Sequence, residues 1–426
     1  MASPRSAAAV ILFRENPELQ VFWARRAPQM MFQAGFFAFP GGQLDPNEDA
    51  AVCAARELLE EVGVRLDPGT FVDVGRWVTP AFAPRRFDTC FFLARCPAGE
   101  EARVMNDEHD FGEWIRPRDA LARWMEGRIL MAPPVRHALQ CLSEGLENIA
   151  ARMKAVPLAR GEASTEIEML PGIVLVPLRT PTLPPATHTN CYVIGGGEVV
   201  VIDPASPYED EQALLDRVLE KRNVREIWLT HLHRDHISGA NHLKKKIGVK
   251  IAAHPITARD LEGVVEVDRL FQDDERLEIA GKPGWSLRVI HTPGHARGHV
   301  CVFEEKSGAL ITGDLMAGVG TIVIDPPEGH MATYLDSLRR MQALPVTTLF
   351  PAHGPAMAHA KEKIQVYLDH RLDRERKILA AWEYGHREPA AIVGKVYTDV
   401  APAMHGLAER SVMAHLEKLR DEGKIR

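Results

Sequence analysis

A chain of 426 residues, 46% hydrophobic and 26% charged, has the composition of a folded globular protein and divides into roughly two to four domains. Lys and Arg number 51 against 58 Asp and Glu, a net charge of -7, so any nucleic-acid contact is confined to a local groove. Disordered, collagenous and coiled-coil classes are excluded.

The apolar run at residues 7–13 stops at Arg14 and Glu15. It is too short for a membrane span and lacks a small-residue cleavage site, so it reads as a first strand. No other stretch reaches the length a span needs, and no membrane contact is expected. Cys53, Cys90, Cys96, Cys141, Cys191 and Cys301 form no C-x-x-C pair. Neither a disulfide framework nor a thiolate zinc site follows, and a reducing cytoplasm fits.

Strand-like and helix-like patterns alternate to about residue 155, ending in a helical stretch at 135–154. Residues 157–166 lose all periodicity, which predicts a linker over 156–171 between a first domain at 5–155 and a second at 172–360. In the second, short β-branched runs at 199–202, 227–230, 310–312 and 347–350 recur between helical stretches, as layered α/β folds require. Gly195-Gly196-Gly197 predicts a hairpin turn. Residues 361–426 predict helices at 361–382, 390–400 and 407–421, with 423–426 beginning a wing strand: a small winged-helix module. Its 13 Lys and Arg against 11 Asp and Glu favour a structural or RNA-guiding lid over a DNA reader. Lys244-Lys245-Lys246 reads as a solvated helix end. No obligate protein partner is evident.

The first chemical constellation lies on a helix predicted at 49–62, whose apolar positions Ala51, Ala55, Leu58 and Val62 recur at helical spacing. Glu57, Glu60 and Glu61 fall within an arc of about 100° on the opposite side, predicting three carboxylates on one exposed stripe. Such crowding is unfavourable without a cation, and hard oxygen ligands suit Mg²⁺ or Mn²⁺ bridged to substrate phosphates. Gly42, Glu48, Arg56, Glu57, Leu58, Glu60, Glu61, Gly63 and Val64 match without departure the pattern G-x5-E-x7-R-E-U-x-E-E-x-G-U, where U is bulky and apolar. The segment thus resembles the Nudix hydrolases. The resemblance implies an α/β/α sandwich that cleaves a nucleoside diphosphate linked to another moiety. It also implies Glu57, Glu60 and Glu61 as metal ligands, Arg56 orienting a carboxylate, and Gly42 and Gly63 bounding a loop–helix–loop. Arg26-Ala27, Gly35 and Phe39-Pro40-Gly41-Gly42 are similar to part of the coenzyme A diphosphatase signature, R-[SA]-x3-R-x3-G-x3-F-P-G-G. Met31 stands at its second arginine, leaving Arg25, Arg85 and Arg86 as replacement cations. Arg26 and Gly42 are expected to contact substrate.

The second constellation follows a buried run at 224–230: His231-Leu232-His233-Arg234-Asp235-His236. Imidazoles with a carboxylate favour Zn²⁺, with Mn²⁺ or Fe²⁺ as alternatives. Three later apolar runs also end in metal-capable side chains, at His291-Thr292-Pro293-Gly294-His295, Gly313-Asp314 and Pro351-Ala352-His353-Gly354-Pro355. These motifs, in this order, resemble the metallo-β-lactamase superfamily. The resemblance implies an αββα sandwich with one zinc on His231, His233 and His295, a second on Asp235, His236 and His353, and Asp314 bridging them. The full set of seven, Asp235 included, speaks against the β-lactam-cleaving members. Paired ions bring the pKa of a water to about 7 and stabilise charge on an attacked carbonyl or phosphorus.

His231 to His236, Gly313-Asp314 with Gly320-Thr321, and the helical tail resemble the β-lactamase-like 2 branch, whose studied members include single-strand-specific endoribonucleases. Single-stranded RNA is accordingly the expected substrate of the second centre. The alternative is a thioesterase resembling the glyoxalase II group, because acyl-coenzyme A offers a diphosphate and a thioester in one molecule. A third reading makes the Nudix half a nucleotide sensor, which three crowded carboxylates argue against. Asn190 and Thr321 are expected to line the site. His254, His291 and His330 are read as structural.

Overall fold

Residues 7–12 are buried without interruption in the strand Arg5–Glu15, because this strand is central and covered on both faces. It pairs in parallel with Phe87–Arg95 and antiparallel with Leu19–Arg26 and Gly41–Gln43. The computed structural model describes residues 3–426 except Met31, Pro84 and Ala163, so Met31, which stands where the signature has its second arginine, lies outside the described residues. Contacts divide the chain into two units, Met1–Val176 and Pro177–Arg426.

In the first unit the helix Ala50–Val62 packs Cys53, Ala54, Leu58 and Val62 on Ala8, Val10 and Leu12. The opposite sheet face buries Ile11, Val21 and Trp23 against the helices Pro117–Met125 and Pro133–Ser143. The Asp49 carboxylate caps the first helix by accepting from Ala51 N at 2.9 Å, and Gly63, at φ 76°, closes it. The expected helical stretch at 135–154 is broken by Gly145, at φ 102°, into Pro133–Ser143 and Ile149–Met153. The segment read as a linker is built differently. Ile167–Leu170 is a strand antiparallel to Ile173–Arg179. It is held by Trp124 Nε1 donating to Met169 O at 2.9 Å and by an Arg136–Glu168 ion pair. At four residues, Ile167-Glu168-Met169-Leu170, it is too short to show a period, and polar partners as well as burial fix it.

In the second unit one sheet runs in the order Arg269–Leu270, Lys250–Ala253, Asn223–Trp228, Glu198–Ile202, His188–Gly195. A six-stranded sheet runs in chain order through Arg276–Ile279, Trp285–His291, Val300–Glu304, Ala309–Gly313, Thr348–Pro351 and Met357–Ala358. The glycine run makes the expected turn, with Gly195 opposite Val199. Ile290, Leu310 and Leu349 form a core with Tyr334 and Leu338 of the helix Met331–Gln342 and Ile364 of the helix Ala360–Glu383. No helix among the described residues is long and apolar enough to cross a membrane.

The tail packs Ala360–Glu383, Pro389–Val396 and His405–Asp421 around Ile378, Ile392, Val412 and Leu416. The expected second helix ends four residues early, at Val396. Among the described residues no wing strand follows Asp421; Ile425 turns back into the helical core. Glu375, 7% exposed, accepts from Lys418 Nζ at 2.7 Å and from His415 Nδ1 at 3.2 Å. Burial alone would raise its pKa; the two donors overcome burial and hold it at about 2 against 4.5. A depressed carboxylate contributes stability above its unfolded pKa that is lost as pH falls through the folded one, here from about 4.5 towards 2 and worth roughly 3 kcal/mol. Glu375→Gln is therefore expected to be less stable than the parent near neutrality, with the gap in urea midpoints closing as pH falls to 2. A gap independent of pH would contradict this.

Candidate functional site

Four strands that end at the same edge of the second unit deliver the expected side chains. The chain leaves Asn223–Trp228 into His231 and His233, with Asp235 and His236 on the short helix Arg234–Ile237. Trp285–His291 leads to His295, Ala309–Gly313 to Asp314, and Thr348–Pro351 to His353. The seven meet in two groups. Donor atoms of His231, His233, His295 and Asp314 lie within 4.8 Å of one another, as do those of Asp235, His236 and His353. His233 Nδ1 stands 3.0 Å from both His231 Nε2 and His295 Nε2. Asp314 faces both groups: Oδ2 is 3.4 Å from His295 Nε2, and Oδ1 is 3.3 Å from His353 Nε2 and 3.6 Å from His236 Nε2. Asp235 Oδ2 lies 3.5 Å from His353 Nε2.

The outward nitrogen of four of the five imidazoles has a hydrogen-bond acceptor. His295 Nδ1–H donates to Val323 O at 2.8 Å, His353 Nδ1–H to His188 O at 3.0 Å and His236 Nδ1–H to Asp203 Oδ2 at 2.8 Å. His231 Nδ1–H donates to Thr230 Oγ1 at 3.0 Å, and that hydroxyl passes its own proton to Asp203 Oδ2 at 2.6 Å. His233 Nε2 is 3.3 Å from Glu328 Oε1. Placing a proton on each outer nitrogen leaves the inner nitrogens of His231, His233 and His295 as bare lone pairs that converge, with His233 Nδ1 3.0 Å from each of the other two and no proton between them to share. Burial holds His231 well below its usual pKa and His295 down at about 4, keeping both neutral. His236 Nε2 and Asp314 Oδ1 are buried without a hydrogen-bond partner. Convergent lone pairs, two carboxylates and orphaned inner atoms fit divalent cations.

Asp203, Glu328 and His299 were not singled out from sequence. His299 is fully buried, accepts from Asp314 N at 3.0 Å and contacts Thr292 Oγ1 at 2.8 Å, which fixes the Asp314 backbone. Asp203 follows the apolar strand Glu198–Ile202, the same signal that marked the other strand-end ligands. Asn190 does not line the site. Its side chain is buried and donates to Pro351 O and Gly354 O, each at 2.8 Å, so it braces the turn that carries His353. His254 stacks on His291 at 4.0 Å, and His330 caps the helix Met331–Gln342.

Over His233, Asp235, His295, Asp314 and His353 lies a cleft of about 410 Å³. Its walls are residues 181–186, residues 319–323 including the exposed Thr321, and Met404, Leu407 and Arg410 from the tail. Among the described lining residues Arg234 and Arg410 are its only guanidinium groups, and none is Phe, Tyr or Trp.

In the first unit Arg56 is the hub. Its guanidinium meets Glu48 at 2.9 and 3.0 Å, Glu57 at 2.8 Å and Glu60 at 3.3 Å. The expected exposed stripe is corrected here. Glu60 is exposed and Glu57 half-buried, but Glu61 is 2% exposed and accepts from Gly41 N at 2.9 Å. Burial, with Glu57 and Glu108 nearby, pushes the Glu61 carboxyl up to about 8. The three glutamates do not form a tight cluster like the histidine groups, yet Glu61's distress beside like charges fits a hard cation held by Glu57 and Glu61. A Cβ on Gly42 would stand 2.3 Å from Glu57 Oε1, so a larger residue there would have to displace the Glu57 carboxylate. Glu57 opens into a cavity of about 670 Å³ that Arg5, Arg26, Arg85 and Arg86 line. Arg25 turns away to pair with Asp110 at 2.8 Å.

Comparison with known proteins agrees with this division. The metallo-beta-lactamase superfamily model matches residues 184–353, the NUDIX domain model residues 3–133, and the beta-lactamase associated winged helix domain model residues 389–426. A Caenorhabditis elegans protein named beta-lactamase-like protein 2 homolog is 31% identical over 245 residues, 56% of this chain and 80% of its own. An atrochrysone carboxyl ACP thioesterase of Paecilomyces divaricatus is 29% identical over 244 residues, 55% of this chain and 72% of its own. The crystal structure of a beta-lactamase domain protein from Burkholderia ambifaria shares the fold, with a TM-score of 0.53 at 20% identity over 63% of this chain and 91% of its own. Both catalytic domain types imply the use of divalent metal ions.

Proposed function

The chain belongs to the metallo-β-lactamase superfamily, carries a Nudix domain before that fold and a winged helix after it, and is a metal-dependent hydrolase; on that premise we propose two catalytic centres with different chemistry. The second unit holds two zinc ions, one on His231, His233 and His295, the other on Asp235, His236 and His353, with Asp314 between them, and hydrolyses a thioester. The first unit holds Mg²⁺ or Mn²⁺ on Glu57 and Glu61, with Glu60 at the edge, and hydrolyses a nucleoside diphosphate-linked compound. The site is assigned to the cytoplasm, in keeping with six free cysteines.

Zinc is favoured by the donor set, imidazole with carboxylate. When bound, paired ions supply a water deprotonated near neutral pH and positive charge facing the attacked centre. The protein's own part is positional. Asp203, Val323, His188 and Glu328 hold the imidazoles with their lone pairs inward, and Asp235 and Asp314 add the negative charge that retains cations.

The cleft wall carries the substrate reading. A groove that tracks single-stranded nucleic acid combines a run of cations with stacking aromatics. Among the described lining residues this one offers Leu183, Val319, Ile322, Met404 and Leu407, no Phe, Tyr or Trp, and two arginines balanced by Asp325 and Glu328. Such a wall suits an acyl chain, and a thioesterase stands among the relatives. The arginine-lined cavity of the first unit suits a diphosphate, so an acylated coenzyme A-like thioester carries both scissile groups. Single-stranded RNA is the second reading, favoured by likeness to the beta-lactamase-like 2 group and by Arg234 and Arg410 at the rim. Turnover of the zinc-loaded protein on an acyl-thioester panel and on single-stranded RNA separates them. Chelator-sensitive thioester cleavage with intact RNA is expected; RNA cleavage with inert thioesters would reverse the assignment.

A further inference from the structure

We infer that the helical tail is part of the metal site's positioning machinery, acting through Arg371 on the ring of His295. The inference rests on the dimetal reading and adds a role for residues far from it in sequence. The segment after Asp314 runs past both metal groups. Its Val323 carbonyl accepts the outer proton of His295, and its Gly318 N donates to His353 O at 2.7 Å. The tail grips this segment at three points. Tyr367 Oη donates to Ala317 O at 2.7 Å and accepts from Ala317 N at 3.1 Å. Arg371 Nη2 donates to Ile322 O, one residue before the carbonyl that orients His295. Arg410 Nη1 meets Asp325 Oδ2 at 2.6 Å.

Arg371 is the unusual member. It is 4% exposed, and among the described residues it has no ion-pair partner. Its guanidinium lies 5.4 Å from the Tyr334 ring centroid, and its Nε has no hydrogen-bond partner. Burying a guanidinium without a carboxylate is costly, and an interface needing only volume would use Leu or Met. What the arginine adds is a donor aimed at the Ile322 carbonyl. That contact sets the course of residues 322–323, hence the Val323 oxygen, hence which way the His295 ring faces. Acceptors that orient a ligand imidazole are worth about 10–100-fold in metal affinity.

The test is zinc affinity of the full chain, read by competition with a chromophoric chelator, for the parent, Arg371→Met, Arg371→Lys and Tyr367→Phe. Arg371→Met is expected to lose roughly tenfold or more at one of two sites. Arg371→Lys, which keeps a donor, should recover most of it, and Tyr367→Phe should weaken the same site. Unchanged affinity in a cooperatively folded Arg371→Met overturns the inference. If Arg371→Met does not fold, unchanged affinity in Tyr367→Phe overturns it instead. A parent that itself holds fewer than two zinc ions overturns the dimetal reading on which this rests, a result distinguishable from either.

Discussion

Asp203→Ala is expected to lower zinc affinity at the Asp235, His236 and His353 group by about 10–100-fold and to destabilise the second unit. Asp203 is 2% exposed and accepts from His236 Nδ1, Thr230 N and Thr230 Oγ1. Removing the carboxylate orphans three buried donors at about 1–3 kcal/mol each, less than additive because they share one site. It also frees His236 to carry its proton on Nε2, the nitrogen that must face a cation. Position 203 has φ 50°, a left-handed conformation that Asp and Asn tolerate better than Ala. Asp203→Asn therefore keeps the backbone and one acceptor, and should fall between parent and alanine. Chelator competition and urea unfolding check this; alanine matching the parent in both would refute the role.

The second large effect is in the first unit. Arg56→Leu is expected to cut nucleotide hydrolysis on the order of 10²-fold, the cost of about 1 Å of misplacement at a reacting centre. Arg56 holds Glu48, whose pKa its guanidinium lowers to about 2, and it pins Glu57 against Gly42. Without it, three carboxylates near one another lose their counter-charge, and Glu57 loses the contact that fixes its rotamer. Arg56→Lys, a point charge in place of a planar fork, should restore stability more than turnover. Magnesium-dependent turnover, measured alongside thermal unfolding, separates the two; undiminished turnover in Arg56→Leu would contradict the hub role.

What could be read from the letters, and what could not, follows the range of the forces involved. The buried strand at 7–13, the helix that Asp49 caps and the hairpin at Gly196-Gly197 follow from local periodicity and turn chemistry. The seven convergent side chains were legible because each follows an apolar strand, and strand ends of one sheet edge meet. Their outer partners were not. Val323 O and His188 O are backbone atoms without a letter of their own, and Glu328 and His299 gain their places only through tertiary contact. Asp203 obeys the same strand-end rule as Asp314, but its role as acceptor for His236 and Thr230 follows only from tertiary contact. Glu61 was misplaced because helical periodicity counts only apolar residues as buried, whereas the Gly41 N–H lets a carboxylate enter the core. Asn190 looked like a site residue, but its partners are carbonyls some 160 positions away.

Anomalous diffraction at the zinc absorption edge, from crystals of the zinc-loaded chain, addresses the central claim most directly. Two peaks are predicted in the second unit, one among His231, His233 and His295 and one among Asp235, His236 and His353, with Asp314 touching both. A single peak, or zinc held elsewhere while those seven side chains stand empty, would contradict it.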